Sequence, residues 1–439
     1  MALVKPKLLL SVLCSASLLA ACQSKGAESA TPPGETKVGE SKSELQKVLD
    51  TPTEVVIYGP STTEDFMLKF GSHIQKKFPN FTIKHIDKSK NPIDQVLIGN
   101  QPIDIIIGPS VGTNILQYGL QNDISDLIKK YNYDLTQLQP NLIQLLRDVG
   151  GVYGLPYNIA TYILLYNKDL FDKFGVPYPK DGMLWDDLHS VAQRMSRVDS
   201  GVQYRGFSSD FWFSLLLNQR ALPVIDAQTS KAAFTSTPFA QLFENMARFY
   251  KIPGNEPVNK VYNDKQDADY FMKDKVAAMR MDTIGGVKSA AQAGINFNVA
   301  QVPVFKDLPN TGFNVNPSYF FITSRGKQRD AAFQILTYIA SAEWQEWQAS
   351  NLGVTTVRKD AAKVMQQFGK GIPELAGKTF NVDALIPKEF PAPRKETAYD
   401  NFARAELSTA LADYLSGIDL NTALRSAAER TNSVIATKK

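Results

Sequence analysis

The rhythm of hydrophobic and polar positions changes several times along the chain, and each change marks an element. Val55-Val56-Ile57-Tyr58 is a short apolar run closed by Gly59-Pro60, the pattern of a strand ended by a turn. Phe66, Phe70, Ile74 and Phe78 then recur at every fourth position, the stripe of an amphipathic helix that Pro79-Asn80 ends. Phe81 to Ile86 alternates like a strand, and Asp104-Ile105-Ile106-Ile107, between Pro102 and Gly108, reads as a buried parallel strand. Further on, Trp185, Leu188, Ala192 and Met195 share one helix face. Phe333, Leu336, Ala340, Trp344 and Trp347 make a second stripe, with both tryptophans read as core. The C-terminal third is helical in pattern, with a proline-rich connection over 386–393. Strand–helix–strand alternation predicts an α/β fold whose sheet is covered on both faces.

Composition narrows this picture. A chain of 439 residues is too long for one ordinary domain. Hydrophobic residues at 44% and charged residues at 21% are globular values. A net charge of +4 gives no reason to expect a nucleic-acid partner. Two cysteines exclude a disulfide scaffold, and three histidines argue against a His-built metal site, so no metal or cofactor is assigned.

The N-terminus reads as a targeting segment rather than as fold. Lys5 and Lys7 precede an apolar stretch from Leu8 to Ala21, too short for a membrane-spanning helix but suited to a signal peptide. It ends Leu19-Ala20-Ala21-Cys22, which resembles a bacterial lipobox. That resemblance implies cleavage after residue 21 and a lipid on Cys22, which would anchor the protein to the outer face of the cell membrane. Cys14 would leave with the signal, so no disulfide remains within the mature monomer. Residues 22–51 are expected to form a polar tether, because Gln23 to Glu44 carry almost nothing apolar to bury.

Several local sequences, taken in order, resemble the extracellular solute-binding proteins of ABC importers, in particular the sugar-binding, maltodextrin-binding-like group. Gly151, Tyr153, Gly154, Pro156 and Tyr157 match that family's G-x-Y-G-x-P-Y. Leu165-Tyr166-Asn167-Lys168-Asp169-Leu170-Phe171, Trp185-Asp186-Asp187-Leu188, Phe271 to Met279, and Ile322 to Phe333 follow in family order. The sequence departs in places. Leu184 stands where a capping Thr is usual, and Asp282-Thr283-Ile284-Gly285-Gly286 lacks the aromatic that many sugar binders carry there. The resemblance implies a two-lobed periplasmic-binding-protein fold, type II-like, with discontinuous lobes joined by a hinge. The expected lobes are 52–158 plus 308–342 and 159–307 plus 343–439. The chain is expected to cross near 155–163, near 302–312 and around Ser341. The resemblance also implies a monomer that hands a sugar or oligosaccharide to permease subunits of an importer without chemistry on it.

In open α/β sheets ligands sit beyond the carboxyl ends of the strands. That places Glu64 and Asp65 after the first strand, and Ser110 after the Ile105 strand, as candidate ligand contacts. Glu64, Asp65 and their neighbours equally suit helix capping. Tyr157 and Asn158 fall at the expected hinge. Trp212, in the densest aromatic cluster, is the stacking candidate, and core packing would account for it equally simply. Asp210, Asp282 and Tyr319 complete the set. A hydrolase is the rival reading. Gly108-Pro109-Ser110-Val111-Gly112 fits G-x-S-x-G, but His189 is the only downstream histidine and sits in a helical stretch. Glu64, Asp65, Asp210 and Asp282 are the carboxylates a glycosidase would draw on. The same residues also leave room for a binding protein that takes a non-sugar polar solute, and for a purely structural lipoprotein.

Overall fold

A computed structural model describes residues 35–109, 111–395 and 397–438. Cys22 and Ser110 lie outside the described residues. The chain divides into two units, Met1–Glu44 and Leu45–Lys439, and the second holds every described strand. The first described element is a helix, Glu35–Asp50. From Glu35 onward the chain is thus helical rather than an extended tether: Glu and Lys are good helix formers, and the helix's last turn has apolar residues to bury. Near its end, Val48 and Leu49 pack against the core of the first sheet.

Among the described residues the strands are β1 (Thr53–Gly59), β2 (Phe81–Asp87), β3 (Ile105–Gly108), β4 (Gly154–Ala160), β5 (Tyr162–Asn167), β6 (Arg197–Asp199), β7 (Val202–Tyr204), β8 (Ser208–Ser209), β9 (Met279–Thr283), β10 (Phe297–Gln301) and β11 (Asn316–Ile322). One sheet has the order β2-β1-β3-β11-β4 and a second has β10-β5-β9-β8. β1 pairs in parallel with β2 and β3, while β11 runs antiparallel between β3 and β4. The sheets are thus mixed rather than purely parallel, because β11 returns from the second sheet and inserts against the direction of its neighbours.

The chain passes from the first sheet to the second at Thr161, between β4 and β5. It returns between β10 and β11, where Phe313 belongs to the second sheet's core and Val315 to the first's. The stripe from Phe333 to Trp347 is two helices, Arg329–Ile339 and Ala342–Leu352. Ser341 separates them, its side chain accepting from the Trp344 N–H at 3.3 Å. The second of these helices bridges the cores: Trp344 packs with the first sheet and Ala349 in a cluster on the second.

Side chains close the backbone where strands leave their sheets. Gly154 opens β4 because a Cβ there would run into the Phe320 carbonyl oxygen of β11. Pro156 is tolerated because β4 is an edge strand. The free edge of β4 is covered by side chains instead of another strand. Gln345 and Gln348, both fully buried, donate from Nε2 to the Tyr157 carbonyl at 2.9 and 2.7 Å. Thr355 Oγ1 donates to the Ile159 carbonyl, and Thr161 Oγ1 to that of Leu385 at 2.7 Å. Leu184 lacks a capping side chain, and the Asp187 carboxylate accepts from its N–H at 3.3 Å.

Candidate functional site

The carboxyl ends of β1 and β3 and the middle of β4 meet at a cavity of about 340 Å³. Ser61 and Asp65 line it from the β1 loop, and Tyr157 and Asn158 from β4. Lys288 enters from the helix Gly286–Gln292, which packs on the second sheet. Two larger depressions, about 560 and 440 Å³, lie elsewhere and gather none of the expected residues.

The β1 side of the cavity is set by a short helical segment, Thr63–Phe66, that runs into a π turn, Met67–Gly71. Thr62 caps it, Oγ1 accepting from the Asp65 N–H at 3.2 Å. Glu64 is exposed and does not line the cavity. Asp65 Oδ2 accepts from Lys69 Nζ at 2.8 Å, so this carboxylate is half committed. The wider π turn carries Phe70 into contact with the floor, edge-on to Tyr157 with ring centroids 5.5 Å apart. Phe70 also stacks on Trp344 at 5.7 Å. Tyr157 is thereby fixed by aromatic contacts at its ring and by two glutamines at its carbonyl.

Asp210 and Asp282 belong to a second group, on the second sheet. Asp210 caps the helix Phe211–Leu216, Oδ1 accepting from the Phe213 N–H at 3.1 Å. Burial raises its carboxyl above the usual range, and the nearby Asp264 adds to this. Asp282, at the end of β9, accepts from Arg280 Nε at 2.7 Å and from the Thr283 N–H at 2.7 Å. Tyr162 lies close by: burial pushes its phenol well up, and the charges of Asp210 and Asp282 push the same way.

Two of the expected contact residues are buried. Trp212 is 2% exposed within the second sheet's core, so it offers no open ring face for stacking. Its neighbours Phe211 and Leu215 continue the same buried face, which the aromatic cluster alone does not distinguish from a platform. Tyr319 is also buried; its ring stacks on Phe321 at 5.1 Å and its hydroxyl donates to the Leu142 carbonyl at 2.9 Å. It also lines a small cavity of about 100 Å³ together with Pro109, Val111 and Arg394. His189 stands in the helix Trp185–Met195, edge-on to Phe249 at 5.2 Å. No group of His, Cys, Asp and Glu among the described residues is arranged to hold a metal ion.

The profile of the bacterial extracellular solute-binding proteins matches residues 59–346. The chain belongs to this family. The binding protein is 22% identical over 61% of its length to a putative binding protein of Brucella abortus, covering 68% of that relative. It is 28% identical over 31% of its length to an arabinooligosaccharide-binding protein of Bacillus subtilis, covering 33% of that chain. Among solved structures, it resembles an ABC substrate-binding protein from Listeria monocytogenes in complex with cycloalternan, with a TM-score of 0.67 at 16% identity over 88% of this chain and 100% of that one. A sugar transporter protein from Rhizobium etli, in an open conformation, gives 0.69 at 19% identity over 86% and 99%. The shared fold is two-lobed and mixed α/β. Among the described residues no helix is long and apolar enough to cross a membrane.

Several residues at the binding protein's two groups escape a reading of the sequence: Lys69, Phe70, Lys288 and Gln348 at the cavity, and Tyr162 and Arg280 on the second sheet. Phe70 is legible as an apolar stripe residue, but nothing local separates a cavity-facing lysine from a solvated one.

Behind β8 lies a buried polar network that gives one pH prediction. Asp267 accepts from the Ser209 N–H at 2.7 Å and from the Tyr250 hydroxyl at 3.2 Å. Burial pushes its carboxyl up to about 6, against the pull of Arg280. A carboxyl raised on folding binds its proton more tightly in the folded state. Its stabilising contribution is therefore complete below the unfolded value, near pH 4, and is lost as pH rises through about 6. At about 1.4 kcal/mol per unit, the loss is about 3 kcal/mol at most. Denaturant unfolding of wild type and Asp267→Asn at pH 4 and pH 7 checks this. The wild type should lose more stability than the variant over that interval, and parallel profiles would contradict it.

Proposed function

We propose that this protein is the substrate-binding lipoprotein of an ABC importer. It captures a sugar or oligosaccharide between its lobes, closes by hinge motion and delivers the ligand to the permease subunits. The observation that carries the reading is the cavity at the strand ends, where Asp65, Tyr157 and Asn158 of one side face Lys288 of the other. Hydroxyl, carboxylate and amide groups beside aromatic rings are the chemistry that binds a sugar. The cycloalternan complex of the Listeria neighbour supports a carbohydrate ligand. Asp210 and Asp282 are proposed to complete the site from the second lobe when it closes, and Ser110 from the loop after β3. Ligand that touches both lobes only when they meet shifts the population toward the closed form.

The lobes are proposed as 52–158 plus 308–342 and 159–307 plus 343–439, with the helix Ala342–Leu352 shared at the hinge. The lipid on Cys22 would hold a monomer at the outer face of the membrane. No chemistry is assigned to the ligand. A non-sugar polar solute is the second reading: a relative from Brucella abortus, 23% identical over 40% of this chain and 42% of its own length, is an sn-glycerol-3-phosphate-binding periplasmic protein.

Thermal shift against maltotriose, arabino-oligosaccharides and glycerol 3-phosphate, with mass spectrometry of each mixture afterwards, tests the proposal. A ligand at 100 times its Kd adds about 2.7 kcal/mol to the folded state and raises the melt visibly. At least one saccharide should do so and be recovered intact. Cleavage of the saccharide would instead support the hydrolase reading.

A further inference from the structure

Within the cavity, charge does not balance. Among the described residues Asp65 is the one carboxylate in its lining, and Lys69 Nζ is already bonded to it at 2.8 Å. Lys288 is partly buried and lines the same cavity from the helix Gly286–Gln292. It makes no ion pair among the described residues. Glu374 feels its charge without forming an ion pair with it, its carboxylate accepting from Gln292 Nε2 at 2.9 Å one turn further along the helix. The remaining wall is mostly apolar, built from Phe66, Phe70, Ile107, Leu352 and Val354.

Closing such a cavity has an electrostatic consequence. Lobes that close over a neutral sugar would remove one unpaired ammonium from water between apolar walls, which is strongly unfavourable. A ligand that brings its own negative charge removes that cost, and the low local dielectric then strengthens the attraction. Asn158, Ser61 and the free oxygen of Asp65 remain available for hydroxyls.

We propose that the ligand is an acidic sugar, whose carboxylate or phosphate sits between Lys69 and Lys288. This rests on the sugar-capture reading and narrows it. Both lysines take part for a geometric reason: they line one cavity from opposite lobes, so an anion held by both also draws the lobes together.

Matched pairs of probes test it: galacturonate against galactose, digalacturonate against the galactobiose of the same linkage, and glucose 6-phosphate against glucose. Each is titrated into the mature protein and read by thermal shift and calorimetry, at low salt and at high salt. The acidic member of at least one pair should bind at least tenfold more tightly, with the advantage shrinking at high salt. The uronate and phosphate pairs distinguish the two sources of charge. Lys288→Glu should remove the advantage, while Lys288→Arg keeps most of it. Lys288→Met guards against a folding defect, since it removes the charge without adding a repulsive one. If the neutral members bind as well or better, the acidic proposal fails and sugar capture stands. If no probe binds, the acidic proposal fails, and the maltotriose and arabino-oligosaccharide screen decides sugar capture by itself.

Discussion

Gln345→Leu is expected to remove about 3–4 kcal/mol of stability, one of the two largest losses from a single polar side chain here. Gln345 is fully buried and uses every hydrogen-bonding position it has. Nε2 donates to the Tyr157 carbonyl at 2.9 Å and to that of Ile339 at 2.8 Å. Oε1 accepts from Thr356 Oγ1 at 2.8 Å and from the Val357 N–H at 3.0 Å. Leucine has similar volume, so packing is largely kept while four buried partners lose a bond. Gln345→Glu should do no better, because a carboxylate cannot donate to two carbonyls. Equilibrium denaturation measures the loss. A cost under about 1 kcal/mol would mean that the edge of β4 does not depend on this side chain. The same variant should raise amide exchange across 155–161, since those residues lose one of their two glutamine anchors to the Ala342–Leu352 helix.

Arg280→Met is expected to cost about 3–5 kcal/mol, the range seen when one partner of a buried ion pair is removed. The Arg280 side chain is only 7% exposed. It donates from Nε to Asp282 at 2.7 Å and from Nη1 to Ser208 Oγ at 2.8 Å, and its charge offsets that of Asp267. Without it, Asp282 loses its partner and Asp267 is pushed further toward its neutral form. The loss should therefore be smaller at pH 5 than at pH 8, where Asp267 would be a buried unpaired anion. Arg280→Lys restores charge but not the forked geometry, and should recover less than half. A pH-independent loss would show that packing alone explains the effect.

Much of the frame is written in local pattern. β1, β2 and β3 are continuous apolar or alternating runs bounded by glycine and proline, so their burial is visible residue by residue. β8 and the β6–β7 hairpin are two or three residues long, and only tertiary pairing makes them strands. Periodicity carries the Phe333–Trp347 stripe through Ser341 without a break, because spacing of three and four continues across a short turn. Asp65 is legible because it follows the end of β1, and Tyr157 and Asn158 because the family motif puts them near the crossing between the sheets. The burial of Trp212 is not, because an aromatic residue has the same appearance in sequence whether it faces a core or a cleft. Gln345 and Gln348 look like a solvated helix face, and only the bare edge of β4 explains their burial. The sparse histidines give the hydrolase reading little to build on, and the one after Ser110 packs against Phe249.

The most direct test of capture by closure is small-angle scattering. The radius of gyration of the mature protein is measured alone and with whichever saccharide raises its melting temperature, at saturation. A smaller radius is expected with ligand, as the two lobes come together across Asp65, Tyr157 and Lys288. An unchanged radius with the sugar demonstrably bound would contradict it.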